Sequence, residues 1–225
     1  MTTTKTKTGK KTVNAKKTKV QKQNDFILLD RTGSMSGMWD EALSSIDAYV
    51  KQLAVDKVDT QVTLAVFDRN GDIFSFDVVR DKVAPEAWTR PTPQEAFPRG
   101  MTPLNQAIHQ LVGIARGVDS ERAAIIIVTD GEENSSNLEY TQASAKAELD
   151  FCRNKGWQVV FLGANFDNVL QARRLGTNIG QTVSAAPGMM CATLSATAVK
   201  RGLYGATGQS MSYSDDERKK FSSIR

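Results

Sequence analysis

The sequence predicts an α/β protein built on a doubly wound, mostly parallel sheet, with one antiparallel edge strand and helices on both faces. Three observations carry this expectation. Short apolar runs alternate with stretches whose apolar residues recur three and four apart, the signature of strands alternating with helices. Ala123–Val128 is apolar at every position, as in a parallel strand covered on both faces. Asn70-Gly71 joins two strand-like runs, a strong hairpin signal that places one antiparallel strand at a sheet edge.

Taken in order, Phe26–Asp30 reads as a buried strand. Trp39–Ala54 reads as a helix with Ala42, Leu43, Ile46, Tyr49, Val50 and Leu53 on one stripe. Gln61–Phe67 and Ile73–Val78 form the hairpin. Residues 85–103 hold five of the six prolines and read as a long stiffened loop with one helical turn near Pro85–Trp88. Thr102-Pro103 has the form of an N-cap with proline at the first helical position, opening a helix to about Arg116. Ala123–Val128 follows as a strand, then a helix over Leu138–Asn154 stopped at Gly156, and a strand over Trp157–Leu162. A helix over Phe166–Leu175 ends at Gly176, Gln181–Ser184 is a short last strand, and Met189–Leu203 a last helix. The expected organisation is a disordered Lys/Thr-rich arm over residues 1–24, one domain over 25–203, and a polar, fraying tail over 204–225.

Charge is distributed unevenly. The net charge is +4, yet residues 1–24 contain eight lysines and no acid, so residues 25–225 carry −4. The arm holds too little apolar surface to offset chain entropy. It is expected to bind polyanions weakly and without sequence preference, because it has no aromatics for base stacking and no arginine for bidentate base contacts. The two cysteines, Cys152 and Cys191, lie in no metal-type pair and read as free thiols of a reducing compartment. The N-terminus has no apolar leader and no run of about 18 apolar residues occurs, so the expected location is cytoplasmic, with no membrane association.

The chemistry concentrates in three segments. DFILLDRTGSMS ends an apolar strand in Asp30 and then offers hydroxyls at Thr32, Ser34 and Ser36. RGMTPL supplies Thr102 ahead of a helix, and AAIIIVTDGEE supplies Asp130 at the end of a second buried strand. In doubly wound sheets ligands sit beyond the carboxyl ends of the strands, where Asp30 and Asp130 fall. Carboxylates and hydroxyls suit a hard divalent cation, Mg²⁺ or Mn²⁺, which prefers oxygen ligands. With two carboxylates and otherwise neutral donors, such a site keeps enough positive character to accept an anionic oxygen from an Asp or Glu of a partner protein. Ser36 reads as a loop or cap residue, Glu132 and Glu133 as a solvated rim, and His109 as a partly buried helix residue.

The pattern D-x-[T/S]-x-S at Asp30, Thr32 and Ser34, the loop threonine Thr102 and the D-G pair at Asp130 resemble the metal-ion-dependent adhesion site of von Willebrand factor type A domains. The resemblance spans roughly residues 24–203, and Thr32 stands where the family usually has serine. FLGANFDNVLQARRLG (161–176) is similar to the later strand and helix of small cytoplasmic bacterial and phage members. The resemblance implies a Rossmann-like sheet and binding without catalysis. It further implies direct metal contact by Thr32 and Ser34, carboxylates acting often through water, and Thr102 alternating between the two modes. Some intracellular members work beside AAA+ ATPases, so an ATPase partner is implied by analogy.

Within the proline-rich loop, Trp88, Arg90, Phe97 and Arg99 are the candidates for partner contact, since aromatic and arginine side chains are the usual interface anchors. Two other functions compete. One is a nucleic-acid- or virion-associated role through the basic arm. The other is a phosphatase, because a strand ending in Asp faintly resembles the haloacid dehalogenases, with Asp30 as nucleophile. That family's general acid is an Asp two residues on, where Thr32 cannot perform the same proton transfer. Dinucleotide binding is disfavoured, because no G-x-G-x-x-G follows the first strand.

Overall fold

The structure, a computed structural model, describes residues 22–164 and 169–223. The basic arm therefore lies outside the described residues except at its end, where Lys22 pairs with Asp119 at 2.7 Å. A six-stranded sheet forms the centre. Its strands are β1 (Gln23–Asp30), β2 (Gln61–Asn70), β3 (Ile73–Val83), β4 (Arg122–Thr129), β5 (Gln158–Ala164) and β6 (Thr182–Ala185). Their spatial order is β3-β2-β1-β4-β5-β6, all parallel except the edge strand β3, which runs antiparallel to β2. The Asn70-Gly71 turn has its glycine at φ +59°, a conformation L side chains rarely adopt.

The buried strands are apolar throughout because both faces are covered. Along β1, Ile27 and Leu29 join one core while Phe26 and Leu28 join the other, the period-two alternation of a strand. The first core packs α1 (Trp39–Val55) and α5 (Met190–Thr207) against the sheet. The second packs α2 (Leu104–Arg116), α3 (Gln142–Asn154) and Ala172 of α4 (Val169–Arg174). The chain leaves β1 toward β2 on one side and reaches β4 on the other, so a crevice opens above the carboxyl ends of β1 and β4.

Several boundaries differ from the sequence expectation, each for a local reason. The helix expected from Leu138 begins at Gln142, because the Thr141 side chain accepts a bond from Ser144 N at 3.1 Å and caps α3 there. Leu138 itself is 98% exposed. The helix expected from Phe166 falls partly outside the described residues, and α4 begins at Val169. The largest correction concerns the tail. Residues 204–222 do not fray. Helix α5 continues to Thr207, and α6 (Asp215–Ser222) follows, opened by a capping box between Ser214 and Glu217. Met211, Tyr213 and Phe221 are all buried in the first core. These three apolar residues pin an otherwise polar segment, together with bonds from Tyr213 N to Gly180 O at 2.6 Å and from Ala186 N to Phe221 O at 2.9 Å.

At the opposite end of the sheet from the crevice, a buried ion pair ties three elements and the loop before β2 together. Arg201 on α5 donates through Nε to Asp25 on β1, through Nη1 to Gln23 Oε1 at 2.7 Å, and through Nη2 to Thr60 Oγ1 at 3.3 Å. Tyr49 on α1 donates to the other Asp25 oxygen at 3.1 Å. Both charged side chains have no solvent exposure. Removing one partner of such a pair strands the other charge. Asp25→Ala should cost about 3–5 kcal/mol in urea unfolding. The double variant Asp25→Leu/Arg201→Met should recover most of that loss.

Candidate metal centre

The site is assembled by three segments that converge above β1 and β4. Asp30 ends β1 with no exposure. Its Oδ1 accepts from Thr32 N at 2.8 Å and its Oδ2 from Thr129 Oγ1 at 2.6 Å. Thr32 occupies the N-cap position of a short 3-10 helix (Gly33–Met38), yet its hydroxyl makes no capping bond and is free to face the crevice. Thr32 Oγ1 shares a hydrogen bond with Ser34 Oγ at 3.2 Å and accepts one from Thr102 Oγ1 at 3.4 Å. Ser34 Oγ in turn donates to Asp130 Oδ1 at 2.8 Å. All five residues singled out in the sequence, Asp30, Thr32, Ser34, Thr102 and Asp130, thus stand in one hydrogen-bonded cluster.

Thr102 is placed by backbone rather than by helix capping. Gly100, at φ +67°, lies so close to β2 that a Cβ would come within 2.0 Å of Arg69 O. Met101 and Arg69 then exchange two backbone bonds at 2.8 and 3.0 Å, while Gly33 N donates to Gly100 O at 3.1 Å. Asn134 closes the other side, its Oδ1 accepting from Thr102 N at 2.8 Å. The N-cap expected at Thr102 is absent. Pro103 holds that position, and the first turn of α2 is capped from outside by Glu133. Glu133 Oε2 accepts from Asn105 N at 2.6 Å, and its Oε1 accepts from Ser136 N at 2.7 Å. Glu133 is therefore a capping residue, not a solvated rim, whereas Glu132 is exposed. Ser36 donates to Gly33 O at 2.7 Å, as a loop residue. His109 is an exposed residue of α2 facing Glu148 at 3.3 Å, not a partly buried one.

The proline-rich loop is stapled to the domain. Trp88 packs on the first core, and Arg90 donates to Asp40 Oδ1 at 2.6 Å. Arg99 donates through Nε to the fully buried Asp68 at 2.8 Å, and Arg31 donates to the other Asp68 oxygen at 2.8 Å. Arg80 donates to Glu95 and holds that carboxyl near 2. Of the four partner candidates, Phe97 is the one whose ring is largely free, 53% exposed. Thr129, Asn134, Arg31 and Asp68 were not singled out in the sequence, and Glu133 and Arg99 were expected in other roles, as a solvated rim and as a partner contact. Only Thr129, the lone hydroxyl in a run of apolar strand residues, gave a signal there.

The donor set suits a hard cation. Two carboxylates and three hydroxyls are linked in one chain of hydrogen bonds, which Asp30 joins through Thr32 N, and the residue following Asp130 is glycine. A Cβ at Gly131 would sit 3.5 Å from Thr102 Oγ1 and 4.0 Å from Ser34 Oγ, in ordinary van der Waals contact, so Gly131 lies beside the hydroxyls. Among the described residues no group of three or more His, Cys, Asp or Glu side chains stands together, so a cation here relies on hydroxyls. Burial pushes the Asp30 carboxyl up to about 6, against bonds from Thr129 and Thr32 that pull it down, and burial also raises Asp130.

Fold and cluster together define a doubly wound α/β domain with an oxygen-donor site at its switch point. Residues 26–188 match the von Willebrand factor type A domain, and the chain belongs to that family. Among solved structures, it is similar to the von Willebrand factor domain of the type V pili tip protein Mfa5 from Porphyromonas gingivalis. That likeness has 12% identity and a TM-score of 0.61, over 82% of this chain and 96% of that one. It is similar to the pilus adhesin SpaC from Lactobacillus rhamnosus GG at 14% identity and TM-score 0.59, covering 82% of this chain but 31% of SpaC. The PilB minor pilin from Streptococcus sanguinis aligns at 11% identity and TM-score 0.59, over 84% of this chain and 64% of PilB. At these identities the likeness shows the fold. Comparison with curated proteins returns no match. Among the described residues no helix is long and apolar enough to cross a membrane.

Because Asp30 holds its proton more tightly folded than at its ordinary value of 3.8, its contribution favours the metal-free fold at low pH. That contribution is lost as pH rises through about 6. In EDTA, Asp30→Asn should therefore gain stability relative to the parent between pH 4 and pH 8, by up to about 3 kcal/mol. Denaturant midpoints at the two pH values measure it. A difference independent of pH would show that the carboxyl titrates normally.

Proposed function

We propose that this domain is a cation-dependent protein-binding module. Asp30, Thr32, Ser34, Thr102 and Asp130 would hold Mg²⁺ or Mn²⁺, and the bound ion would supply a positive centre that accepts a carboxylate oxygen from an Asp or Glu of a partner protein. The observation that carries this reading is the hydrogen-bonded cluster of two carboxylates and three hydroxyls, open to solvent at Ser34 and flanked by Gly131. Neutral hydroxyls leave the cation less than fully neutralised, which is what capture of an outside anion requires.

Two further points favour binding over catalysis. A phosphatase using Asp30 as nucleophile needs an accessible carboxylate, whereas Asp30 has no exposure and both its oxygens accept hydrogen bonds. The single histidine sits on the surface of α2 beside Glu148, not at the crevice. SpaC, described as a pilus adhesin, offers a structural relative with an adhesive role.

Thermal unfolding in EDTA, Mg²⁺ and Mn²⁺ tests the proposal. At 100 times Kd a bound ion stabilises by about 2.7 kcal/mol, which for a domain of this size raises Tm by about 5–10 °C. Asp130→Ala, at the more exposed carboxylate, should fold and abolish the rise. Equal melting of the parent protein in EDTA and in saturating metal would overturn the proposal.

A further inference from the structure

At the end of the sheet away from the cation cluster, a cavity of about 480 Å³ lies between α5 and the loop that joins α1 to β2. At roughly 30 Å³ per water in the liquid, it has room for several side chains. Val199 and Leu203, four residues apart and so on one face of α5, line it and are 46% and 44% exposed. Gly202, Gly205 and Ala206 complete that side with little bulk. A Cβ at Gly205 would come within 2.3 Å of Gln23 Oε1, so the glycine lets the end of α5 close on the first residue of β1. Gln23 Oε1 accepts from Arg201 Nη1 at 2.7 Å, and Arg122 Nη1 donates to the carbonyls of Tyr204 and Gly205 at 2.7 and 2.6 Å. The walls are therefore fixed, and two apolar side chains are left facing water between them.

The occupant follows from where the chain enters the sheet. Because β1 lies between β2 and β4, the chain arrives between the loop before β2 and the loop before β4. The first loop carries Asp56, Lys57 and Asp59 and the second Asp119 and Glu121, four carboxylates against one lysine. Such a rim favours a cationic segment and disfavours an acidic one. Gln23 is itself part of the cavity wall, and the residues before it, 12–21, read TVNAKKTKVQ. They hold Lys16, Lys17 and Lys19, no acid, and the apolar residues Val13, Ala15 and Val20. The match begins with Lys22, which pairs with Asp119 at 2.7 Å. Val20 stands three residues before Gln23, so at most about 10 Å of chain separates it from the wall.

We propose that residues 13–21 occupy this cavity in their own chain, with Val13 and Val20 against Val199 and Leu203, and with Lys16, Lys17 and Lys19 facing Asp56 and Asp59. A segment tethered this closely acts at an effective concentration of about millimolar, so a contact too weak to hold a free peptide is populated in cis. Burial of the apolar side chains supplies the attraction. Ion pairs this exposed add little each and serve chiefly to set the register. Lysines engaged here are withdrawn from other anions, so docking of the arm and binding of a polyanion are alternatives.

Limited trypsin digestion of the full chain tests this, with the isolated peptide of residues 1–24 giving the intrinsic rates. Cleavage after Lys16, Lys17 and Lys19 should be about tenfold slower in the full chain than in the peptide, the factor for a contact closed about nine-tenths of the time. Cleavage after Lys5 and Lys7 should be unchanged. Asp56→Asn/Asp59→Asn and, separately, Leu203→Ser should each restore the peptide rates. These three residues are exposed, so both variants should melt with the parent. Equal rates in chain and peptide, or protection that survives both variants, would overturn the proposal. Protection that fades on dilution would assign the arm to a second copy and overturn the docking in cis. The contact is also readable from the cavity side by methyl NMR of the full chain. The Val199 and Leu203 methyl signals should shift in Lys16→Glu/Lys17→Glu/Lys19→Glu, which alters only the arm, and unmoved signals would count decisively against it.

Discussion

The completely buried Asp30 carboxylate at the end of β1 is the constraint on which the upper surface of the domain depends. A charge in that position is tolerated only if both oxygens are satisfied. One bond comes from Thr32 N, which fixes the turn out of β1, and the other from Thr129 Oγ1, which ties β1 to β4 across the switch point. Those two bonds set the loop so that the Thr32 and Ser34 hydroxyls face Thr102 and Asp130. Even with both bonds the carboxyl is raised to about 6, because burial outweighs them. Under the proposed function, the unrelieved part of that cost is what a bound cation would relieve.

Around this centre the loops are held by buried polar anchors. Asp68, fully buried on β2, accepts from Arg31 on one oxygen and Arg99 on the other. It thereby clamps the turn after β1 to the proline-rich loop that delivers Thr102. Glu133 clamps the loop after β4 to the start of α2. Every segment that contributes a donor is thus tied to a second segment. A hydroxyl-based site needs this, because three weak neutral donors act together only if their geometry is fixed before the ligand arrives. The ion pair of Asp25 and Arg201 fastens the opposite end of the sheet, so both ends of β1 terminate in buried carboxylates with different partners.

The central strands, α1 and the antiparallel edge were legible in the sequence, because period-two and three-four apolar spacing report directly on which face is buried. The five cluster residues were legible for a related reason. Each sits at the end of a strand or on a loop leading into a helix, and the doubly wound rule sends those ends to one place. The C-terminal segment was misread because its average polarity hid Met211, Tyr213 and Phe221. Likewise, the spacing of Leu138 hid a helix start that Thr141 sets four residues on from the expected end of the loop.

By itself the sequence determined the order of elements, the two-sided burial of the sheet and which carboxylates and hydroxyls gather above it. Only the tertiary structure decided what those donors touch. Glu133 as a cap for a helix some thirty residues earlier, Arg99 as an anchor on Asp68 instead of a free contact residue, and Gln171 as an amide buried without a partner have no local signature. Periodicity records a residue's distance from the core, whereas hydrogen-bond satisfaction depends on which distant segment closes over it, and that is settled only when the chain has folded.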